Sequence, residues 1–361
     1  MKIDEVVGRP GSTWMNGSGP DSDVVLSTRI RLARNLQGIP FPHLLDTKTA
    51  AEVLDKVFSA ARYASENSRI GNLSCFKMDQ VKPLDRAVLV EKHLISPQHG
   101  KAPHGGVILS EDETISIMVN EEDHLRIQGL FSGMQLEPAW KTVDAVDDLF
   151  EHNLTYAFSA EEGYLTSCPT NVGTGMRASV MVHLPALSAI NQVGQLAPVV
   201  AKFGLLVRGL YGEGTEALGD VYQISNQVTL GISEQDIISK VLDVAKQVML
   251  HERKAREYLM QEQKVQTEDR VGRSLGVLLH SSLLSSDEAI SHWSNIKLGI
   301  EMGMIKGVSR KQANQLLVAT RVGYISRLSG RELTPAQRDH LRAETVKKIL
   351  KSEQHGMGDV R

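Results

Sequence analysis

Ser167-Cys168-Pro169-Thr170-Asn171-Val172-Gly173-Thr174-Gly175-Met176-Arg177-Ala178 passes from a proline turn through two glycines into an apolar run. Turn residues followed by Ala178–Leu184 predict a loop that hands the chain to a strand, with Arg177 at its start. Two other stretches pair with it. Val119-Asn120-Glu121-Glu122-Asp123-His124-Leu125-Arg126 ends in an arginine at a strand, and Arg208-Gly209-Leu210-Tyr211-Gly212-Glu213 begins with one. Together the three set carboxylates beside arginines in separated parts of the chain.

Working outward, Val24-Val25-Leu26-Ser27 reads as a strand leading into Thr28-Arg29-Ile30-Arg31-Leu32-Ala33-Arg34. Ile115, Ile117 and Val119 alternate as a half-buried strand does. Further strands are predicted over 205–210 and 221–230. Helices are predicted over 49–67, with Val53, Leu54, Val57, Phe58 and Ala61 on one face, over 84–94, and around Trp140, Val143, Val146, Phe150 and Leu154. Strands and helices do not alternate strictly, which favours an antiparallel or mixed sheet covered by helices. After about Ser233 the pattern is helical throughout. One helix is expected from 233 to about 266, one holding Leu275, Leu278, Leu279, Leu283 and Leu284, one ending at Ile305, and one over 312–322. Thr334-Pro335-Ala336-Gln337 opens the last, with Thr334 as N-cap, Pro335 at N1 and Gln337 closing a capping box. The fold class is α+β followed by an all-α region. The division expected is an irregular arm over 1–23, a catalytic domain over 24–255 and a helical domain over 256–361. The apolar faces of the helical domain predict a homodimer, with intrachain packing of the same faces as a nearly equal alternative.

Composition limits the function classes. The chain has 361 residues, 41% hydrophobic and 23% charged, with a formal net charge of −3. That balance argues against nucleic acid as an obligatory partner. Two cysteines, Cys75 and Cys168, build no disulfide framework, and Met1-Lys2-Ile3-Asp4-Glu5 has no apolar signal region, so a cytoplasmic location without membrane attachment is expected.

Common nucleotide motifs fail. No Gly-x-x-x-x-Gly-Lys-Ser/Thr loop occurs, nor a His-Arg-Asp and Asp-Phe-Gly pair. Gly173-Thr174-Gly175-Met176-Arg177-Ala178 fits the dinucleotide pattern, but no apolar strand precedes it and no acid follows about twenty residues on. The arginines remain. Arg29 and Arg31 lie two apart after a strand, so their side chains leave on one face. Planar guanidinium forks suit phosphate oxygens. Each arginine taken singly also fits a surface cation, and the spacing alone leaves both readings open. Glu121-Glu122-Asp123 fits a solvated turn equally. If two carboxylates meet one guanidinium, they clamp its nitrogens and take a proton from it.

Ser27-Thr28-Arg29-Ile30-Arg31, the stretch 120–126, Cys168–Ser179 and Arg208–Glu213, in this order, closely resemble the ATP:guanido phosphotransferase family of creatine and arginine kinases. The resemblance covers roughly 24–255 and implies a large antiparallel sheet flanked by helices. It implies Mg²⁺-ATP as donor, with phosphates held by Arg29, Arg31, Arg126, Arg177 and Arg208. The ATP site it implies comprises Ser27-Thr28-Arg29-Ile30-Arg31, His93, Arg126, Arg177-Ala178-Ser179-Val180-Met181 and Arg208-Gly209-Leu210-Tyr211-Gly212-Glu213. Glu122 and Glu213 match the guanidinium-binding carboxylates, and Cys168 matches a cysteine that tunes the substrate. Gln223 stands where the small-molecule enzymes usually have an acid.

Those enzymes carry about a hundred residues of helical domain before the first arginine motif; this chain has some two dozen there and a helical domain at its other end. That arrangement is similar to the bacterial protein-arginine kinases. It implies a protein arginine as acceptor, in stress response and protein quality control. An activator of the McsA type, the stress-gene repressor CtsR and a Clp unfoldase are the implied partners. It further implies an allosteric phosphoarginine pocket at Arg338-Asp339-His340-Leu341-Arg342-Ala343. The alternatives are a free-arginine phosphagen kinase and an idle adaptor that binds phosphoarginine.

Overall fold

The computed structural model describes residues 1–67, 70–102, 104–209 and 217–352. Its centre is an eight-stranded sheet in the order β2-β3-β4-β5-β1-β8-β10-β9. The strands are β1 (Val25–Arg34), β2 (Leu73–Lys77), β3 (Gly106–Ser110), β4 (Ile115–Val119), β5 (Leu125–Ser132), β8 (Met176–His183), β9 (Leu205–Gly209) and β10 (Val221–Asn226). Every pairing is antiparallel. A small ribbon, β6 (Phe158–Ser159) with β7 (Gly163–Tyr164), stands apart. The helices are α1 (Ile3–Val7), α2 (Thr47–Asn67), α3 (Pro83–Glu91), α4 (Leu136–Glu151), α5 (Pro185–Ala189), α6 (Val193–Ala201), α7 (Glu234–Glu262), α8 (Lys264–His280), α9 (Ser286–Glu301), α10 (Arg310–Ala319), α11 (Val322–Ser329) and α12 (Pro335–Lys351).

The period of two in β1 divides the molecule. Ile30 and Leu32 turn to one face with Ile127, Ile117, Ala178, Val180 and Ile224. There they meet the apolar stripes of α2, α4 and α7 in the first core. Full burial of each such side chain contributes about 1.5–3 kcal/mol. Arg29 and Arg31 turn to the opposite face, beside Gln128, Arg177 and Ser179. Around that polar centre a second core gathers Leu26, Val107, Leu109, Met118 and Met181 from the sheet. Trp14 and Met15 join it from the N-terminal arm, and Trp293, Leu316, Leu317 and Val346 from the last helices.

Several expectations need correction. The arginines of β1 lie within the strand, not after it, because alternation continues through Arg34. The arm before residue 24 holds a short helix and a 3₁₀ turn, and Val6, Val7, Trp14 and Met15 are buried. The helix expected to 266 ends at Glu262, and α8 starts at once; α7 runs unbroken past residue 255. The segment 312–322 splits between α10 and α11. Leu283 and Leu284 follow the end of α8, and Ile305 follows the end of α9. The strand expected to 230 stops at Asn226. Leu278 is buried in the chain's own second core, with Leu275 and Leu279 packed against it, so intrachain packing occupies that stripe. The cap of α12 is as expected: Thr334 accepts from the Gln337 N–H, and the Gln337 side chain answers at the Thr334 N–H. Among the described residues, no helix is long and apolar enough to cross a membrane.

Candidate active site

A cleft of about 920 Å³ opens over the polar centre of the sheet, and Arg29, Arg31, Arg126, Arg177 and Arg208 all line it. Register explains the convergence. Arg31 is paired across the ladder with Arg177 on one side and Gln128 on the other. Arg126 lies two residues from Gln128, and Arg208 faces Gln223 on β10. Four strands of the sheet thus each aim cations at one concavity. The cost is visible in the guanidinium of Arg31. Burial first, then the charges of Arg29, Arg126 and Arg177, hold its pKa well below the usual arginine value. Its buried Nε has no hydrogen-bond partner among the described residues. Arg177 is lowered in the same way, by burial and by Arg126 and Arg208. An arginine cluster of this kind demands a multiply charged anion.

Arg29 donates from Nη2 to Oε1 of Gln223 at 2.8 Å. The partner is neutral, so this hydrogen bond orients the fork without adding negative charge beside it. Arg34 behaves differently. It is buried on the other face, paired with Asp147 at 2.6 Å and lying over the Tyr164 ring at 3.4 Å.

The turn 120–124 between β4 and β5 sorts its acids by environment. Asn120 adopts the left-handed region at φ 58° and donates to the carbonyls of Ala50 and His104. Glu121 turns inward, accepting from the Ser96 hydroxyl. Asp123 is fully buried and accepts from Asn35 Nδ2 and the Ser167 N–H, both at 2.7 Å, so it ties this turn to the cysteine loop. His124 accepts the Leu36 N–H at Nδ1, and burial pushes its pKa down to about 4. Glu122 alone is left at the rim. Its side chain is 45% exposed and stands 3.3 Å from Arg126 Nη1.

The loop 167–175 crosses beneath. Its Gly175 (φ +66°) leaves no room for a Cβ, which would sit 2.6 Å from both the Ala33 carbonyl oxygen and Arg34 Nη1. The glycines therefore serve a close backbone crossing onto β8, not a dinucleotide turn. Cys168 is half-buried, 3.1 Å from the Thr170 hydroxyl. His93 lies just beyond α3 in the left-handed region (φ 60°), edge-on to Trp14. Gln128 holds this corner by donating to the carbonyls of His93 and Leu94. Burial, then Arg29 and Arg321, push the His93 pKa down to about 3, so the ring is neutral.

Of the other expected site residues, Ser27, Ser179 and Met181 share the cleft face of the sheet. Thr28, Ile30, Ala178 and Val180 turn their side chains to the opposite face. Gly209 ends β9. Leu210, Tyr211, Gly212 and Glu213 lie outside the described residues. Sequence reasoning passed over Glu91, Gln128 and Arg321 in the cleft lining. Gln128 carried a signal, being two residues beyond Arg126 on one strand; Arg321, remote in sequence, carried none. On α12, Arg342 is buried, and its fork donates to the carbonyls of Thr320 and Leu284 and to Asp339. Arg338 donates to the Leu333 carbonyl, His340 meets the Ser282 carbonyl, Leu341 is half-buried and Ala343 is in the second core.

Residues 52–255 match the family model for the ATP:guanido phosphotransferase C-terminal catalytic domain. Residues 264–358 match that for the protein-arginine kinase McsB C-terminal domain. A protein-arginine kinase of Halothermothrix orenii is 50% identical over 351 residues, 97% of this chain and 99% of the relative. One from Bacillus subtilis is 48% identical over 345 residues, covering 96% and 95%. Among solved structures, the substrate-free duplicated taurocyamine kinase of Schistosoma mansoni superposes with a TM-score of 0.58 at 25% identity, over 72% of this chain and 39% of that one. A lombricine kinase gives 0.56 at 25%, over 70% and 75%. The arginine-lined cleft and both halves of the sequence agree: the chain belongs to the ATP:guanido phosphotransferase family, in its protein-arginine kinase branch.

Proposed function

We propose that the cleft binds Mg²⁺-ATP with its phosphates along Arg29, Arg31, Arg126, Arg177 and Arg208, and that Glu122 receives the arginine side chain of a protein. The reaction is ATP plus protein arginine giving ADP and protein Nω-phosphoarginine. A guanidinium nitrogen attacks the γ-phosphorus, the bond to the β-γ bridging oxygen breaks, and the nitrogen's proton leaves to a carboxylate. Glu122 is the proton acceptor, and Glu213, on motif resemblance, is the second clamp. Cys168, also on motif resemblance, tunes the substrate. The observation that carries this reading is the cluster of arginines around the buried Nε of Arg31, which has no hydrogen-bond partner among the described residues. Mg²⁺ enters with its nucleotide. Among the described residues, no group of three or more His, Cys, Asp or Glu stands ready to hold a metal. Phosphates and water therefore supply most of its coordination, as is usual for this ion.

Protein rather than free arginine is favoured by the exposure of Glu122 at the rim of the cleft. The proposal extends to stress response and protein quality control. It includes the activator, repressor and Clp partners, a cytoplasmic location, and allosteric stimulation by phosphoarginine at Arg338, Asp339 and Arg342. A homodimer contact would use exposed Val265 or Leu283. The test is incubation with Mg²⁺-ATP and either free arginine or a loosely folded arginine-rich protein, reading acid-labile phosphate. Label on the protein with free arginine nearly ignored is expected; efficient turnover of free arginine alone would overturn the reading.

A further inference from the structure

The C-terminal helices reach the cleft at one point. Arg321, the N-cap of α11, lines it together with the sheet arginines, Glu91 and His93. Its position is fixed from both sides. In front, the Glu91 carboxylate accepts the first N–H groups of α11, from Gly323 at 2.6 Å and Tyr324 at 2.8 Å. The approach is close: a Cβ on Gly323 would stand 2.8 Å from Glu91 Oε2 and 2.9 Å from the Ala87 Cβ. Behind, buried Arg342 donates to the Thr320 carbonyl at 2.6 Å. The peptide that carries Arg321 is thus gripped between α3 and α12.

Strand register orders the sheet cations along β1: Arg126 stands opposite Ala33, Arg177 opposite Arg31, and Arg29 two residues farther on. Glu122 lies at the Arg126 end. His93, in the cleft lining with Arg321, feels the charges of Arg29 and Arg321. Arg321 therefore belongs with Arg29, at the end away from the transfer site. We propose that Arg321 is a sixth nucleotide-binding arginine, supplied by the C-terminal helices, which contacts the phosphate nearest the ribose. This rests on reading the cleft as the nucleotide site. A charged fork at that end grips what ATP and ADP share, and it makes nucleotide affinity depend on how α11 is seated.

The test is calorimetric titration of Mg²⁺-ATP and Mg²⁺-ADP into the full chain, as wild type, Arg321→Ala, Arg321→Lys and Arg29→Ala. Arg321→Ala should weaken both nucleotides by a similar factor, on the order of tenfold, with Arg321→Lys recovering part of the loss. If Arg29→Ala weakens binding while Arg321→Ala binds as wild type does, the proposal falls and the nucleotide cleft stands. If neither changes affinity, both fall. A loss confined to ATP would place Arg321 at the γ-phosphate and overturn the assignment. A loss that lysine does not recover, accompanied by a lower melting temperature, would mark Arg321 as a packing residue and overturn it too.

Discussion

At the residue scale, the chemistry turns on which carboxylate stays open at the rim. Glu121 and Asp123 turn inward, whereas Glu122, 3.3 Å from Arg126 Nη1, keeps its side chain 45% exposed. Glu122→Ala should therefore lower turnover by about 10²–10⁴-fold, the usual loss on removing a positioned base, with ATP affinity retained. Near-normal turnover in a coupled ADP assay would refute the role. Gln223 makes the complementary point. Its neutral amide orients one arm of the Arg29 fork, where a carboxylate would set a negative charge beside the phosphates. Gln223→Glu should weaken ATP binding by roughly tenfold, the order expected when a charged hydrogen bond to ligand is compromised; unchanged affinity would contradict this. The site was legible where residues share a strand, as Arg29 and Arg31 do by the period of two. It was illegible where only register decides. Nothing local to Gln223 names Arg29 as its partner, and nothing near Arg321 places it over a sheet whose arginine motif lies almost three hundred residues earlier.

At the scale of elements, β4 was legible because Ile115, Ile117 and Val119 alternate cleanly and bury. β2 was not: all five of its residues are half-buried, so its pattern lacks contrast. Strand β5 interrupts its apolar face with Gly129, which lies where a Cβ would meet Val143 at 2.6 Å. The loop before β8 depends on a similar closeness. Gly175→Ala combines a positive φ with a clash against the Ala33 carbonyl. It should cost on the order of 1–3 kcal/mol of stability in a denaturant titration and reduce kcat by displacing Arg177; a wild-type midpoint would show that the crossing has slack. The contact between α3 and α11 carries its own signature. Burial raises the Glu91 carboxyl from 4.5 to about 7. A folded value above the unfolded one means that this stabilisation is complete below about 4.5 and is lost as pH rises through about 7. Stability measured from pH 5 to 8 should fall more steeply for the wild type than for Glu91→Gln. Equal slopes would mean that Glu91 titrates as an exposed acid does.

At the scale of the whole molecule, the expected split into a catalytic domain and a helical appendage meets a core that both parts build. Met118, Met181 and Val221 of the sheet pack in the same cluster as Trp293, Leu317 and Val346 of the last helices. Polar contacts cross the same boundary. Asn314 donates to the Met15 carbonyl, Lys297 to that of Ser22, and Arg327 pairs with Asp85 at 2.7 Å. Lys297 is fully buried with Glu301, and removing one member of a buried pair typically costs about 3–5 kcal/mol. A chain ending at Gln263 would expose Leu26, Val107, Leu109 and Met181 together, an apolar face on the very side of the sheet that carries the cleft. Such a face is an aggregation site, and Lys92, buried against Glu113 beneath the arm, would lose part of its shielding as the arm loosens. The helices after 263 thus complete the sheet's second face, whatever else they bind. The full chain should therefore unfold in one calorimetric transition, with van't Hoff and calorimetric enthalpies in agreement, and the chain ending at Gln263 should lose its cooperative transition and bind a hydrophobic dye. Two separate transitions in the full chain, or a soluble 1–263 fragment that melts cooperatively and binds ATP, would show that the sheet closes without its C-terminal cover.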